Sequence, residues 1–149
     1  MKKLFTTSDK RKPPLKVGGF DITVLASTHD TMGYEIFVQK GEEGKGPGPH
    51  FHPWDESFYI LNGKLHCGID EDEFVALPGT LVHIPMGKTH WFKFGAGGAE
   101  FIAITSKGNA SEMFTEFDKG INWANPDKNK LVKLAAQYNQ TVITNKSNV

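Results

Sequence analysis

Short apolar runs, each three to seven residues long, recur along the chain from residue 20 to residue 106. They are rich in β-branched and aromatic residues, and most of them end at glycine, proline, asparagine or aspartate, as strands do. About nine such runs at close spacing indicate an all-β barrel or sandwich. The predicted strands cover residues 20–26, 34–39, 50–52, 56–61, 64–69, 74–77, 81–84, 90–94 and 100–106.

Two groups of turn-forming residues interrupt this pattern. Asn62-Gly63 is the strongest short hairpin signal in the chain, and it predicts that the strands on either side of it pair with each other. The glycine-rich segment 95–98 predicts a second turn between its own two flanking strands.

The period of the apolar residues changes after residue 108. Residues 110–118 have helical spacing, with Ser111 placed as an N-cap, and residues 126–138 form a second predicted helix. Two placements of these helices remain open. They pack on the outside of the barrel, or Met113, Phe114 and Phe117 cover a barrel mouth.

The two ends of the chain are predicted to lie outside the barrel. Residues 1–16 carry six lysines or arginines and one acid, and we expect a solvated arm. The alternative is an arm that lies over a partner subunit and buries Leu4, Phe5 and Leu15. Residues 141–149 are expected to fray.

Charge and cysteine content exclude several classes of function. The 17 basic and 17 acidic side chains cancel, so we expect no nucleic-acid partner. The lone Cys67 excludes an intramolecular disulfide framework. No apolar run follows the basic N-terminus or approaches the length of a membrane helix, so we expect a soluble cytoplasmic protein.

Three histidines and one glutamate form a candidate site for chemistry. His50 and His52 are two residues apart, and on a strand such residues point to the same face. Glu56 follows a turn at Pro53 and opens the next predicted strand, from which it can return to the same point. His90 enters a later strand. Three imidazoles and one carboxylate predict a site for a divalent transition metal, with open positions left for catalysis.

The residues around this cluster resemble the first motif of the cupin superfamily, G-x5-H-x-H-x3-E-x6-G. Gly44, His50, His52, Glu56 and Gly63 meet every spacing of that motif. The resemblance implies that the two histidines and the glutamate are metal ligands.

The second cupin motif, G-x5-P-x-G-x2-H-x3-N, is also present. Gly79, Pro85, Gly87 and His90 meet its spacing, whereas Phe94 stands where the motif has asparagine. That asparagine is not usually a metal ligand in the family, so the departure leaves the metal site intact and makes the pocket rim more apolar. The resemblance implies that His90 is the fourth ligand.

A small single-domain cupin is therefore expected, similar to the quercetin dioxygenase-like members of the family. The implied fold is a double-stranded β-helix, or jelly-roll barrel, with two short C-terminal α-helices. The whole chain, 1–149, is expected to form one domain, with the arm at 1–16, the barrel at 17–107 and the helices at 108–140.

The expected activity follows from that resemblance. We predict a quercetinase-like dioxygenase that binds a hydroxylated or enolic, partly apolar substrate at a single Fe, Mn, Ni, Co, Cu or Zn ion. Glu56 either stays a ligand or takes the substrate proton as general base. Alternatives are a metal-dependent isomerase or decarboxylase, or a non-catalytic cupin that binds a metal and a small molecule.

Strand alternation predicts which side chains surround the metal. Phe58 and Ile60 share a face with Glu56, and Phe92 and Phe94 share one with His90, so these four are the predicted substrate-binding residues.

The same alternation predicts the positions of three further side chains. His83 is either a pocket residue or a packed core residue. Trp54 and Trp91 are expected to point away from the metal and to mark a homodimer face, unless the C-terminal helices cover them.

Overall fold

The computed structural model describes residues 5–144, and strands dominate it. The nine strands are β1 Leu15–Val17, β2 Phe20–Ala26, β3 Tyr34–Gly41, β4 His50–Phe51, β5 Glu56–Ile69, β6 Asp72–Ala76, β7 Leu81–Ile84, β8 His90–Ser106 and β9 Thr141–Val142. The α-helices are α1 Thr28–Thr31, α2 Ala110–Gly120 and α3 Lys128–Gln137. The predicted all-β barrel with two short C-terminal helices is confirmed.

Two long strands, β5 and β8, form the frame of the barrel. They are antiparallel to each other along nearly their whole length, from the pair Glu56–Thr105 to the pair Ile69–His90. Strand β3 is antiparallel to the C-terminal half of β8, and β4 pairs with the first residue of β8, His90. Strands β6 and β7 pair with the two halves of β5.

The two predicted turns were wrong. Asn62-Gly63 lies inside β5, and the segment 95–98 lies inside β8. The two strands are paired at this level, with Gly63 opposite Ala99. The register shifts on each side of that pair, so both strands bend at the same level without turning back.

Glycine permits this shared bend for a steric reason. Gly63 has a φ of 73°, in the left-handed region, and a Cβ placed on it would lie 2.0 Å from the carbonyl oxygen of Gly98. Only a residue without a side chain lets the two backbones approach so closely. The residues that read as hairpin signals thus allow both strands to pass round a corner of the barrel.

Aromatic rings fill the interior at one end of the barrel. Phe58, Phe92, Phe94 and Phe101 are each less than 5% exposed. Their neighbouring ring centroids, together with that of Phe20, lie 4.7–6.0 Å apart, mostly in edge-to-face or tilted pairs. This packing forms a rigid floor for the site described below.

Helix α2 is tied to the barrel by a buried carboxylate. Glu35, on β3, is fully buried and accepts hydrogen bonds from the backbone nitrogen of Ser111 at 3.0 Å and from its hydroxyl at 2.5 Å. It also accepts one from the backbone nitrogen of Thr28. The prediction of Ser111 as N-cap was wrong, because Asn109 holds that position and Ser111 lies in the first turn. Its hydroxyl is used for the contact with the barrel.

The segment after α3 returns to the barrel. Thr141 and Val142 form β9, which pairs with β4 so that Val142 lies opposite His50. The expectation that residues 141–149 fray was therefore wrong for these two positions, and residues 145–149 lie outside the described part. A two-residue strand forms here because β4 offers it a free edge.

The N-terminal arm is exposed where it is described. It contains a single 3-10 turn, Ser8–Lys10, and Phe5 is 77% exposed. Leu4 lies outside the described residues, and Leu15 belongs to β1. Among residues 5–144, no helix is long and apolar enough to cross a membrane.

Candidate metal centre

Four side chains converge where β4, β5 and β8 meet. His50 lies on β4 directly opposite His90, the first residue of β8, and Glu56 is the first residue of β5. His52 comes two residues after His50. All four are buried, with exposed fractions between 1% and 8%.

The polar atoms of this cluster lie close together. Ring nitrogens of His50, His52 and His90 all lie within 4.8 Å of one another. The Oε2 atom of Glu56 is 3.0 Å from Nε2 of His52 and 3.4 Å from Nε2 of His90. Three imidazoles could thus hold one metal ion, and a carboxylate oxygen is directly beside them.

Backbone carbonyls hold each imidazole in one orientation. Nδ1 of His50 donates to the carbonyl oxygen of Gly48 at 2.9 Å, and Nδ1 of His52 donates to that of Trp54 at 3.0 Å. His90 does the same with Lys88 at 2.8 Å. With the proton on Nδ1, the neutral ring keeps a lone pair on Nε2. This is the outer-shell arrangement that fixes metal-ligating histidines.

A divalent cation fits this donor set. Once Nδ1 carries the proton of His52, its Nε2 and the Glu56 Oε2 are two acceptors 3.0 Å apart, and only a cation or an extra proton stabilises that contact. Nε2 of His90 is buried and has no hydrogen-bond partner among the described residues. Neutral nitrogens plus one carboxylate suit a first-row transition ion.

The surroundings of the cluster also change the pKa values of its own side chains. Burial, together with the neighbouring charge of His90, lowers the pKa of His50 to about 3, so this ring is neutral at physiological pH. Burial would raise the pKa of Glu56, but the neighbouring imidazoles of His52 and His90 outweigh it and hold that pKa well below its usual range. A neutral ring and an ionised carboxylate are the forms that bind a metal.

A cavity of about 230 Å³ lies beside these four side chains. Its wall is mostly apolar and comes from the barrel and from the C-terminal segment. Besides the four candidate ligands, the barrel supplies Val17, Phe20, Ile22, Gln39, Trp54, Phe58 and Phe92, and the C-terminal segment supplies Ala110, Phe114, Phe117, Trp123, Leu131, Gln140 and Val142. Phe114 and Phe117 of α2 therefore line the cavity, in agreement with the second of the two placements left open by the sequence, whereas Met113 is buried in the core and does not line it.

The predicted substrate-binding residues divide into two pairs. Phe58 and Phe92 line the cavity. Ile60 and Phe94 are 0% and 1% exposed and lie in the packed core outside its lining, because the inner face continues past the cavity into the aromatic floor. Sequence reasoning missed most of the opposite wall, which comes from residues distant in the chain.

Of the two tryptophans, Trp54 does not lie on a dimer face as predicted, and the prediction for Trp91 stays untested. Trp54 is 3% exposed, and its ring stacks on that of His52, with centroids 4.2 Å apart and an interplanar angle of 8°. It lies after β4, where strand alternation no longer applies. Trp91 is half-buried and packs over Gly68, where a Cβ would lie 2.1 Å from its ring nitrogen. A homodimer stays a prediction without support from these rings.

The remaining histidines lie away from the cavity. His83 is exposed on the outer face of β7, with Nδ1 3.1 Å from the Ser57 hydroxyl, so neither alternative predicted for it holds. His66 is exposed on β5, and His29 pairs with Glu112 on the surface at 3.0 Å.

Comparison with known proteins agrees with this geometry. Residues 34–105 match the cupin domain family. Over 95 residues the chain is 26% identical to quercetin 2,3-dioxygenase from Bacillus subtilis, and the match covers 62% of this chain but 28% of that enzyme. The chain thus spans little more than a quarter of that relative's length.

Solved structures share the fold. The structure of KdgF from Halomonas sp. matches with a TM-score of 0.65 and 17% identity, covering 72% of this chain and 98% of that one. An RmlC-like cupin from Shewanella frigidimarina matches with a TM-score of 0.63 and 18% identity, covering 71% and 94%. At such identities these likenesses concern the fold alone.

Proposed function

We propose, from the premise that this chain has the cupin fold and resembles quercetin dioxygenase-like single-domain cupins, that it is a metal-dependent enzyme acting on a small molecule. Its site residues are His50, His52, Glu56 and His90 as metal ligands, with Glu56 also as the catalytic base. The reaction we propose is a dioxygenation of the quercetinase kind.

One observation carries this proposal. Three imidazole Nε2 atoms and one ionised carboxylate meet at one end of a cavity whose remaining wall is largely apolar and aromatic. A purely structural metal site is closed on all sides by protein, whereas a site that opens into a cavity leaves positions for substrate. Phe58 and Phe92 stand beside the ligands and suit a flat, partly apolar molecule.

The bound ion would supply Lewis acidity, which stabilises the anion of a coordinated hydroxyl or enol. The chain supplies the rest. Oε2 of Glu56 lies 3.0 Å from Nε2 of His52, so it is positioned to accept a proton from a substrate hydroxyl bound at the cluster. Phe114 and Phe117 on α2 cover the cavity and exclude bulk water.

The dioxygenase reaction rests on the similarity to the Bacillus subtilis enzyme, in which dioxygen is the co-substrate that its name implies. A metal-dependent isomerase, a decarboxylase or a non-catalytic binding protein would use the same ligands. These are the alternatives that the experiment must separate.

Elemental analysis of the purified protein comes first, followed by oxygen uptake with flavonols, enediols and diketones. We expect near-stoichiometric iron, manganese, nickel, cobalt, copper or zinc, and substrate-dependent oxygen consumption. Bound metal with turnover but without oxygen consumption would replace the dioxygenase with an isomerase or decarboxylase. Bound metal with no turnover would leave a binding protein.

A further inference from the structure

A buried amide lies in the wall of the same cavity. Gln39, on β3, is 2% exposed and lines the cavity together with the candidate ligands. Its partners across the sheet are Ile22 on β2 and Phe101 on β8, both almost completely buried. Most of the wall around it is apolar, so a polar side chain at this position is unexpected.

No side-chain hydrogen bond of the Gln39 amide is found among residues 5–144, and the amide is open to the cavity, since it is not one of the enclosed polar groups left without a partner. Glu35 is the other fully buried polar side chain on this face of β3. It accepts three hydrogen bonds, one of them from the backbone nitrogen of Ser111 at 3.0 Å. An amide in an apolar wall gains free energy from a hydrogen-bond partner, because burial has removed most of its contact with bulk water. Its orientation toward a cavity suggests that its partner is a bound molecule.

Gln39 lies at a distance from the metal ligands. Ile60 is opposite Phe101, which is opposite Gln39, so these residues form one row across the sheet. Glu56 is four residues before Ile60 on β5, a distance of about 13 Å along the strand. The cavity is therefore polar at the metal end and at Gln39, with phenylalanine rings between them.

We propose that Gln39 determines specificity by hydrogen-bonding a polar group on the far end of the substrate. The inference rests on the proposed function and narrows its substrate class. The substrate carries adjacent metal-binding oxygens at one end, a flat apolar body, and a hydroxyl, carbonyl or amide at the other.

The chemistry of the Gln39 side chain allows several polar groups at that end. The side-chain amide both donates and accepts, so it can pair with any of the three polar groups.

Two catechols provide a matched test of this inference. 4-(Hydroxymethyl)catechol and 4-ethylcatechol share the ring and the metal-binding oxygens, and they differ only in a hydroxyl against a methyl group at the far end. Their dissociation constants are measured by calorimetry on nickel-loaded protein without oxygen, for the wild type, Gln39→Met and Gln39→Leu.

We expect the ratio of the two affinities to shift by about tenfold toward 4-ethylcatechol in both variants. Binding of 4-ethylcatechol by the variants shows that the fold and the metal site are intact. An unchanged ratio would overturn the role of Gln39. Failure of the nickel-loaded wild type to bind either catechol would overturn the substrate class, while oxygen uptake with other substrates would still support the proposed function. Failure to take up metal would overturn both.

Discussion

The ring of Trp54 lies parallel to the ring of His52, with 4.2 Å between their centroids. The same tryptophan also accepts, through its backbone oxygen, the hydrogen bond from Nδ1 of His52. One residue thus fixes both the plane and the tautomer of a candidate ligand, and it places an indole within van der Waals contact of that imidazole.

This stacking predicts a spectroscopic signal for metal binding. Cu²⁺ or Ni²⁺ bound at His52 should strongly quench the fluorescence of Trp54, because such ions quench nearby indoles. A fluorescence titration of the wild type should show a saturable decrease that Trp54→Phe reduces, and the decrease that remains comes from Trp123 in the same cavity wall. Trp91→Phe is the matched control and should retain the decrease. Equal quenching in both variants would place the metal elsewhere.

Removal of a ligand should remove the metal and leave the fold. We expect His50→Ala and His90→Ala to lose more than about 100-fold in metal affinity, since even outer-shell changes cost 10–100-fold. Elemental analysis measures the metal content, and circular dichroism checks the strands. His66→Ala, at an exposed position on β5, should keep its metal. Stoichiometric metal in both ligand variants would contradict the site.

Glu56→Gln should reduce turnover more than metal content. The amide keeps the size and one oxygen of the carboxylate but cannot accept a proton, so a general base is lost. We expect kcat to fall by about 10²–10⁴-fold, with most of the metal retained through the three imidazoles. Steady-state kinetics on the metal-loaded variant, corrected for metal content, gives the comparison. A fall in kcat that merely follows metal loss would identify Glu56 as a structural ligand only.

Acid should destabilise the metal-free protein through His50. Its pKa is about 3 in the folded chain against an ordinary 6.5, so the unfolded chain binds the proton more tightly. The resulting stability is fully present above pH 6.5 and is lost as the pH falls from 6.5 toward 3. One pKa unit corresponds to about 1.4 kcal/mol, which sets an upper bound of about 5 kcal/mol.

Urea unfolding of the metal-free protein across that pH range measures the effect. His50→Gln should flatten the dependence, and the exposed His66→Gln should leave it unchanged. His90 acts in the opposite sense: burial lowers its pKa, but the neighbouring carboxylate of Glu56 raises it overall. Its contribution is present below pH 6.5 and is lost as the pH rises through the folded value. A pH dependence unaltered in His50→Gln would contradict the assignment.

The sequence by itself determined the fold class and the residues of the candidate metal cluster. Alternating apolar runs predict strands because the side-chain period of a strand is two, and this reasoning needs no tertiary contact. Two cupin motifs with every ligand spacing met identified His50, His52, Glu56 and His90. Local spacing also located α2 and α3 to within a few residues.

Tertiary structure decided where the chain bends and what faces the ligands. Gly63 reads as half of a hairpin, but it lies opposite Ala99 in a bent strand, and only the partner strand distinguishes a turn from a corner. Trp54 was assigned to the surface by alternation, which fails once the strand has ended. Gln39 gave no signal, since the role proposed for it depends on a cavity wall that includes residues more than seventy positions away. The periodicity of the sequence determines which face of its own strand or helix a side chain occupies. The wall of a site depends on how several strands and helices pack together.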